Sequence, residues 1–222
     1  MKYPKVYAGV KKIYSSQILS LIAAALVFAG VIAGAFLRDY DALSTAQMVL
    51  FTTVMLASGV LNVIAYLKHI NGVRLAAKDV PAFRKALMWL IIGIVASVAK
   101  SILESTELEA LGLMMNVVFT LAAFLGAYFT VYGIIDMAEA EEDYAFKATA
   151  ETALRRIIFT KVLSIIGTGA EYIFREFFAS SQSTFMYFLP YIITAFVFVM
   201  DLLFYIFVLR ILKQTKTQLE KI

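Results

Sequence analysis

The chain has 222 residues, 62% of them apolar, and its mean hydropathy is +0.83. Soluble domains contain roughly 45 to 50% apolar residues, so a fold surrounded by water could not bury this composition. The net charge of +4 is spread over short segments between apolar stretches, which argues against a nucleic-acid-binding face. Cysteine is absent, which excludes disulfides, thiolate metal sites and cysteine nucleophiles.

Long stretches with few charged residues recur at the length that a membrane requires. A bilayer core about 30 Å thick is crossed by about 20 helical residues. We therefore expect an all-α fold, a polytopic integral membrane bundle of six transmembrane helices that forms one transmembrane domain over residues 1–222. In chain order the predicted spans are approximately 16–37, 45–67, 86–103, 110–136, 157–174 and 184–209.

A short motif precedes each odd-numbered span, with a small residue, an apolar residue and two basic residues in that order. The three copies are Gly9-Val-Lys-Lys12, Ala82-Phe-Arg-Lys85 and Ala153-Leu-Arg-Arg156. Their nearly equal spacing is typical of an internal repeat and predicts three pseudo-repeated helical hairpins. Any span that is anchored by basic residues on its cytoplasmic side would show the same motif, so both interpretations stay open.

The distribution of basic residues predicts the orientation, because short cytoplasmic loops retain Lys and Arg. They gather before span one, between spans two and three, and after span six, whereas the opposite loops lean acidic. We expect both the N- and C-termini in the cytoplasm. The short loops favour the plasma membrane as the location.

Charged residues inside the spans are costly and indicate function or specific pairing. Lys100 and Glu171 lie equally far beyond the basic pair of their hairpins, about 22 Å along each helix. Glu104 and Arg175 follow one turn later, and Asn116 enters from span four near the same level. Two interpretations are open: a polar pocket for a small polar or charged solute, or a structural ion pair that locks spans three and five.

A second polar level is predicted nearer the cytoplasmic side. Lys161 and Asp201 fall within one or two helical turns of the same depth, and Asn62 occupies a similar position in span two. The functional interpretation is an inner gate or a cation site. The structural alternative is a Lys–Asp pair that braces spans five and six.

Small residues in span one suggest close helix packing. Ala25, Ala29 and Ala33 overlap Gly30 and Gly34 in small-x-x-x-small patterns, which let helix backbones approach closely. The pattern predicts packing of span one within its own bundle, with a dimer seam as the alternative.

Catalytic and metal-binding motifs are not evident in the sequence. His69 is the only histidine and follows the end of span two, so a surface position is expected. The carboxylates lack metal-site spacing, and no protease, hydrolase or nucleotide-binding motif appears. We expect no enzyme activity, no metal and no cofactor.

The functional hypothesis is a transporter or channel for a small polar or charged solute. The alternative is a noncatalytic scaffold or regulatory subunit of a membrane protein complex. The expected partners are the lipid bilayer and either a solute, a second copy of the chain or another membrane subunit, and nucleic acid is not expected.

Overall fold

The computed structural model describes residues 3–37, 45–104, 109–178 and 184–221, and within these residues it contains six helices and no strand. Each predicted span lies inside one helix. The helices are α1 (Pro4–Leu37), α2 (Thr45–Ala76), α3 (Phe83–Glu104), α4 (Glu109–Ala140), α5 (Tyr144–Phe178) and α6 (Thr184–Leu219). Helices α1 and α5 begin well before their predicted spans, and α2 and α6 end well after theirs. These extensions contain basic residues.

Five of these helices contain a segment that is long and apolar enough to cross a membrane. Their surfaces expose large apolar side chains such as Leu56 (66% exposed) and Val95 (63%), which water would not tolerate over so wide an area but lipid does. The all-α class and the multi-span membrane character are thereby confirmed. Helix α5 has 35 residues, ample for a sixth span, but is more polar. The five segments are Pro4–Gly30, Phe51–Ala76, Phe83–Leu103, Met114–Ala140 and Ile192–Leu219.

The chain divides into two compact units. The first unit comprises Met1–Asp79 and Lys216–Ile222, and the second comprises Val80–Thr215. In the first unit α1 packs along α2, and in the second α4 packs against both α3 and α5. The expectation of a single transmembrane domain stays a prediction.

The α1–α2 crossing in the first unit rests on two facing glycines. A Cβ atom added to Gly9 would lie 2.5 Å from the carbonyl oxygen of Gly72, and one added to Gly72 would lie 2.7 Å from the carbonyl oxygen of Gly9. The two backbones are therefore in direct contact, as in other close helix pairs that use small residues. No side chain larger than hydrogen fits at either position without separating the helices.

Asp79, just beyond α2, caps the first turn of α1. Its Oδ2 accepts hydrogen bonds from the backbone N–H groups of Lys5 (2.9 Å) and Val6 (3.2 Å). First-turn N–H groups have no partner within their own helix, and the positive end of the helix dipole favours a carboxylate. The connector after α2 thus fixes the start of α1.

Glycines in α4 receive large side chains from α3 in the second unit. Phe83 is fully buried, and its ring lies 2.8 Å from where a Cβ atom of Gly133 would stand. Two helical turns further along, Leu90 lies against Gly126 at 3.2 Å by the same measure. Because Gly133 and Gly126 have no side chain, Phe83 and Leu90 pack directly against the α4 backbone, which sets the distance between α3 and α4.

The connection between α4 and α5 is a tight corner. Glu142 has a left-handed backbone with φ of 56°. Asp143 N–H donates to the Ala138 carbonyl at 3.0 Å, and Glu142 N–H donates to the Glu139 carbonyl at 3.0 Å, which is the Schellman pattern at a helix end. Asp143 then caps α5, since its Oδ1 accepts from the Phe146 N–H at 3.0 Å.

An ion pair spans the same corner. The Lys147 ammonium lies 3.1 Å from Glu139 Oε2, and the hydrogen bond it donates to Glu139 raises the pKa of Lys147. A raised lysine pKa means that the pair is present at neutral pH and is lost only as the pH rises above the usual lysine range.

Replacing Glu142 by glycine is expected to stabilise the protein by about 1 kcal/mol, because a left-handed backbone is unfavourable for residues with a Cβ atom. Reversible unfolding in mixed detergent micelles measures this change. The matched control is Ala140→Gly, at the last residue of α4, which should destabilise by about 0.5–1 kcal/mol. A loss of stability in Glu142→Gly would show that its side chain, not its backbone, matters.

The odd-numbered helices bury corresponding positions when they are aligned on the three motifs. The apolar second residue of each motif is buried and the basic pair is exposed. An exposed basic pair also fixes which face of a helix is buried, so the shared burial pattern agrees with both interpretations, and the three-hairpin repeat stays a prediction. The corresponding buried sets are Val10, Phe83 and Leu154; Ile13, Ala86 and Ile157; and Ala23, Ala96 and Gly167.

Candidate functional site

A Lys–Asp–Ser cluster joins α5 to α6 in the second unit. The Lys161 Nζ atom lies 2.7 Å from Asp201 Oδ1, and the Ser164 hydroxyl donates to the same oxygen at 2.8 Å. The Lys161 ammonium also lies 5.5 Å from the centroid of the Phe204 ring, which is within cation–π range. Thus the two charged residues expected at the inner polar level are in direct contact.

Helical spacing and one small residue position this cluster. Lys161 and Ser164 are three residues apart on α5, so they share one face and reach the same carboxylate. One turn further, a Cβ atom on Gly167 would lie 2.6 Å from Val197 Cγ2, so this glycine lets α6 approach closely. The close approach keeps Asp201 within reach of Lys161.

The Asp201 carboxylate accepts hydrogen bonds at one of its two oxygens. The Lys161 side chain is 14% exposed and that of Asp201 is 38% exposed. Both hydrogen bonds enter at Oδ1, and within the described part of the chain Oδ2 receives none. A carboxylate oxygen with exposed surface and no partner can accept a proton, a cation or water.

The cluster lies inside the apolar part of both helices. Lys161 stands five residues beyond Arg156, and Asp201 stands nine residues before Arg210, where the apolar stretches of α5 and α6 begin and end. The helical rise places their backbones about 8 Å and about 14 Å from that boundary. A flexible lysine side chain spans the remaining difference in depth.

The outer polar level is described in part. Lys100 Nζ donates to Asn116 Oδ1 at 3.2 Å, which joins α3 to α4. Within α4 the Thr120 hydroxyl donates to the Asn116 backbone carbonyl at 2.9 Å. The side chains of Glu104, Glu171 and Arg175 lie outside the described residues, so their part in a pocket or an ion pair stays a prediction.

The surroundings of Asn62 are described within the first unit alone. It is exposed on α2 in the first unit, and no hydrogen bond from its side chain to a described residue is seen. Its expected membership of the inner polar level stays a prediction.

The small residues of span one have different surroundings. Gly30 is buried, and a Cβ atom there would touch Met55 at 3.6 Å, an ordinary contact with α2. Ala25 and Ala29 are exposed within the first unit, and the side-chain positions of Ala33 and Gly34 lie outside the described residues. Their predicted packing role is therefore seen only at Gly30.

His69 is not the surface residue expected from the sequence. It is half-buried, the Gln17 amide lies 3.0 Å from its Nδ1, and its Nε2 has no exposed surface and no hydrogen-bond partner among the described residues. One signal was present: Gln17 follows its basic pair by the same interval as Lys161, and both make polar contacts, whereas the corresponding residue of the second hairpin is the apolar Leu90. The described residues contain no cluster of His, Asp and Glu placed to hold a metal ion.

Comparison with known proteins does not assign the chain to a family. The chain matches no protein-family model, no curated protein and no solved structure.

Proposed function

We propose that this membrane protein moves a small charged or polar solute across the bilayer, with a cation or proton engaging Asp201. The observation that carries the proposal is the partly exposed Asp201 carboxylate, which has one oxygen held by Lys161 and Ser164 and the other without a described partner. Charged groups inside spans are rare, face the bundle interior or a water-filled cavity, commonly pair with one another, and often mark substrate or ion pathways.

A second polar contact, between Lys100 and Asn116, supports a solute path in addition to the Lys161–Asp201 pair. Lys100 and Asn116 lie in the outer part of α3 and α4, whereas Lys161 and Asp201 lie nearer the basic end of α5 and α6. Polar side chains at two depths offer a solute successive sites, so that binding at each can be weak enough for release. Glu171 would add a charge at the outer level.

The proposed location is the plasma membrane with both termini in the cytoplasm. The three basic pairs are exposed, and each directly precedes the apolar stretch of α1, α3 or α5, as expected for residues in the headgroup region on the cytoplasmic side. The proposed activity is not enzymatic and requires no cofactor. Its partners are lipid and the solute, and a second copy of the chain is a further candidate.

A noncatalytic scaffold is the alternative, and the same cluster supports it. A short Lys161–Asp201 contact is also what a brace between two helices requires, and the α4–α5 corner exposes Glu139 and Glu142 as a docking feature. Under this alternative Glu142→Lys would release a copurifying subunit, and Asp201→Asn would change stability alone.

The test is a flux assay in liposomes containing the purified protein, with gradients of K⁺, Na⁺ and protons imposed in turn. We expect cation or proton flux above that of empty liposomes. Asp201→Asn should lower it about tenfold or more, because a hydrogen bond to a charged group contributes about 1.5–3 kcal/mol. Glu151→Gln, which removes a carboxylate elsewhere on α5, is the control and should keep the flux. Equal flux from the Asp201→Asn variant and the wild type would contradict the assignment.

A further inference from the structure

A pocket of 340 Å³ lies between α5 and α6 in the second unit, beside the ends of their apolar stretches. Its volume is within the range of small-molecule sites, roughly 300–1,000 Å³. Its polar lining comes from both helices, and apolar residues complete it. The polar and aromatic lining residues are Thr149, Thr152 and Arg156 on α5, and Phe207, Arg210 and Gln214 on α6.

Two arginines give this pocket its charge. Arg156 and Arg210 are both exposed, and neither forms an ion pair with any residue in the described ranges. The Arg156 guanidinium lies 5.8 Å from the centroid of the Phe207 ring, which leaves its N–H edge available. Two like charges that line one pocket repel each other unless an anion is bound between them.

The other polar groups narrow the choice of ligand. The Thr149 and Thr152 hydroxyls already donate to backbone carbonyls one turn earlier on α5. The donors left for a ligand are the two guanidinium groups and the Gln214 amide. Guanidinium groups match tetrahedral oxyanions through paired N–H donors, so the arrangement suits a phosphate group.

The depth of the pocket favours a lipid as the source of that phosphate. Arg156 immediately precedes the apolar stretch of α5, and Arg210 immediately follows that of α6, which places both at headgroup level. About one turn deeper, Phe159 is 65% exposed and Ile206 is 46% exposed, and they offer apolar surface to acyl chains. A free phosphate ion has no apolar part that could contact Phe159 and Ile206.

We propose that this pocket binds the phosphate headgroup of an anionic phospholipid. Arg156 and Arg210 hold the phosphate oxygens, Gln214 donates to the headgroup, and the acyl chains lie along the exposed apolar faces of α5 and α6. Basic pockets between transmembrane helices on the cytoplasmic side are known to hold anionic headgroups. The proposal goes beyond solute transport and stands whether or not the protein transports.

The experiment uses the full-length protein, freed of lipid in a neutral detergent and titrated with dioleoylphosphatidylglycerol in mixed micelles. The unfolding temperature should rise with lipid concentration, because a ligand that binds the native state stabilises it. The double change Arg156→Gln with Arg210→Gln should weaken the apparent affinity about tenfold or more. The matched control is Arg155→Gln, which removes the neighbouring exposed charge outside the pocket and should change the affinity less than about twofold.

Three results would overturn the proposal. Equal weakening by Arg155→Gln would show only general attraction to basic residues. Equal stabilisation by dioleoylphosphatidylcholine would remove the selectivity for an anionic lipid, and equal stabilisation by inorganic phosphate alone would identify a free anion as the ligand. If the double variant fails to fold, the single change Arg210→Gln replaces it, and native mass spectrometry in an equal mixture of the two lipids compares it with Arg155→Gln: weaker retention of phosphatidylglycerol in Arg210→Gln alone supports the site, and equal retention in the two variants refutes it.

Discussion

Replacing Gly72 by alanine is expected to lower the free energy of unfolding by about 2–3 kcal/mol, a large effect for one methyl group. The added Cβ atom would lie 2.7 Å from the carbonyl oxygen of Gly9 and 3.0 Å from the backbone nitrogen of Ile13. Backbone atoms cannot rotate away as a side chain does, so α1 and α2 must separate and lose contacts along their crossing. Reversible unfolding in mixed detergent micelles measures the loss.

The matched control for this change lies on the same helix. Gly59 is also in α2, but a Cβ atom there would meet nothing within 4 Å. Gly59→Ala should therefore be neutral or stabilising by up to about 1 kcal/mol, since alanine is the better helix former. Equal effects at Gly59 and Gly72 would refute the close α1–α2 crossing.

Lys161 and Asp201 are expected to be strongly coupled in stability. Lys161→Met should cost about 2 kcal/mol, because it leaves a carboxylate inside the membrane without its counter-ion. This figure lies between the small effect of exposed pairs and the roughly 3–5 kcal/mol of fully buried ones, as the 38% exposure of Asp201 requires. Asp201→Leu should cost a similar amount, because it leaves the Lys161 ammonium without its counter-ion.

The double change Lys161→Met with Asp201→Leu should recover much of that loss. Two apolar side chains of similar size carry no desolvation cost, and the Ser164 hydroxyl, which loses its acceptor, can donate to the backbone carbonyl one turn earlier, so the double variant is expected within about 1 kcal/mol of the wild type. Unfolding of the four proteins completes the cycle. Additive losses in the double variant would show that the two residues do not interact.

The helices could be predicted from the sequence because few backbone conformations are possible in lipid. Backbone polar groups in a bilayer must be satisfied within a helix, so apolar stretches of membrane length with few charged residues located each span within one observed helix. The contact between Lys161 and Asp201 was also foreseeable, because charges at similar depth in neighbouring antiparallel spans have no better partner than each other.

Helix crossings were harder to predict, because small residues permit close packing at many positions and do not select one. The pattern at Ala25 and Ala29 resembles a packing motif, yet these residues are exposed within the first unit, whereas the α1–α2 crossing uses the less conspicuous Gly9 and Gly72. The contact of Gln17 with His69 was missed for a similar reason. It depends on the register of two helices, which hydropathy does not report.

The most direct test of the proposed function is cation and proton flux in liposomes that contain the Lys161→Met, Asp201→Leu double variant. This variant is expected to fold with nearly wild-type stability, so a loss of flux cannot be attributed to unfolding. If Asp201 lies on the solute path, flux should fall to the level of empty liposomes. Flux equal to that of the wild type would contradict the account and leave the Lys161–Asp201 pair as a brace between α5 and α6.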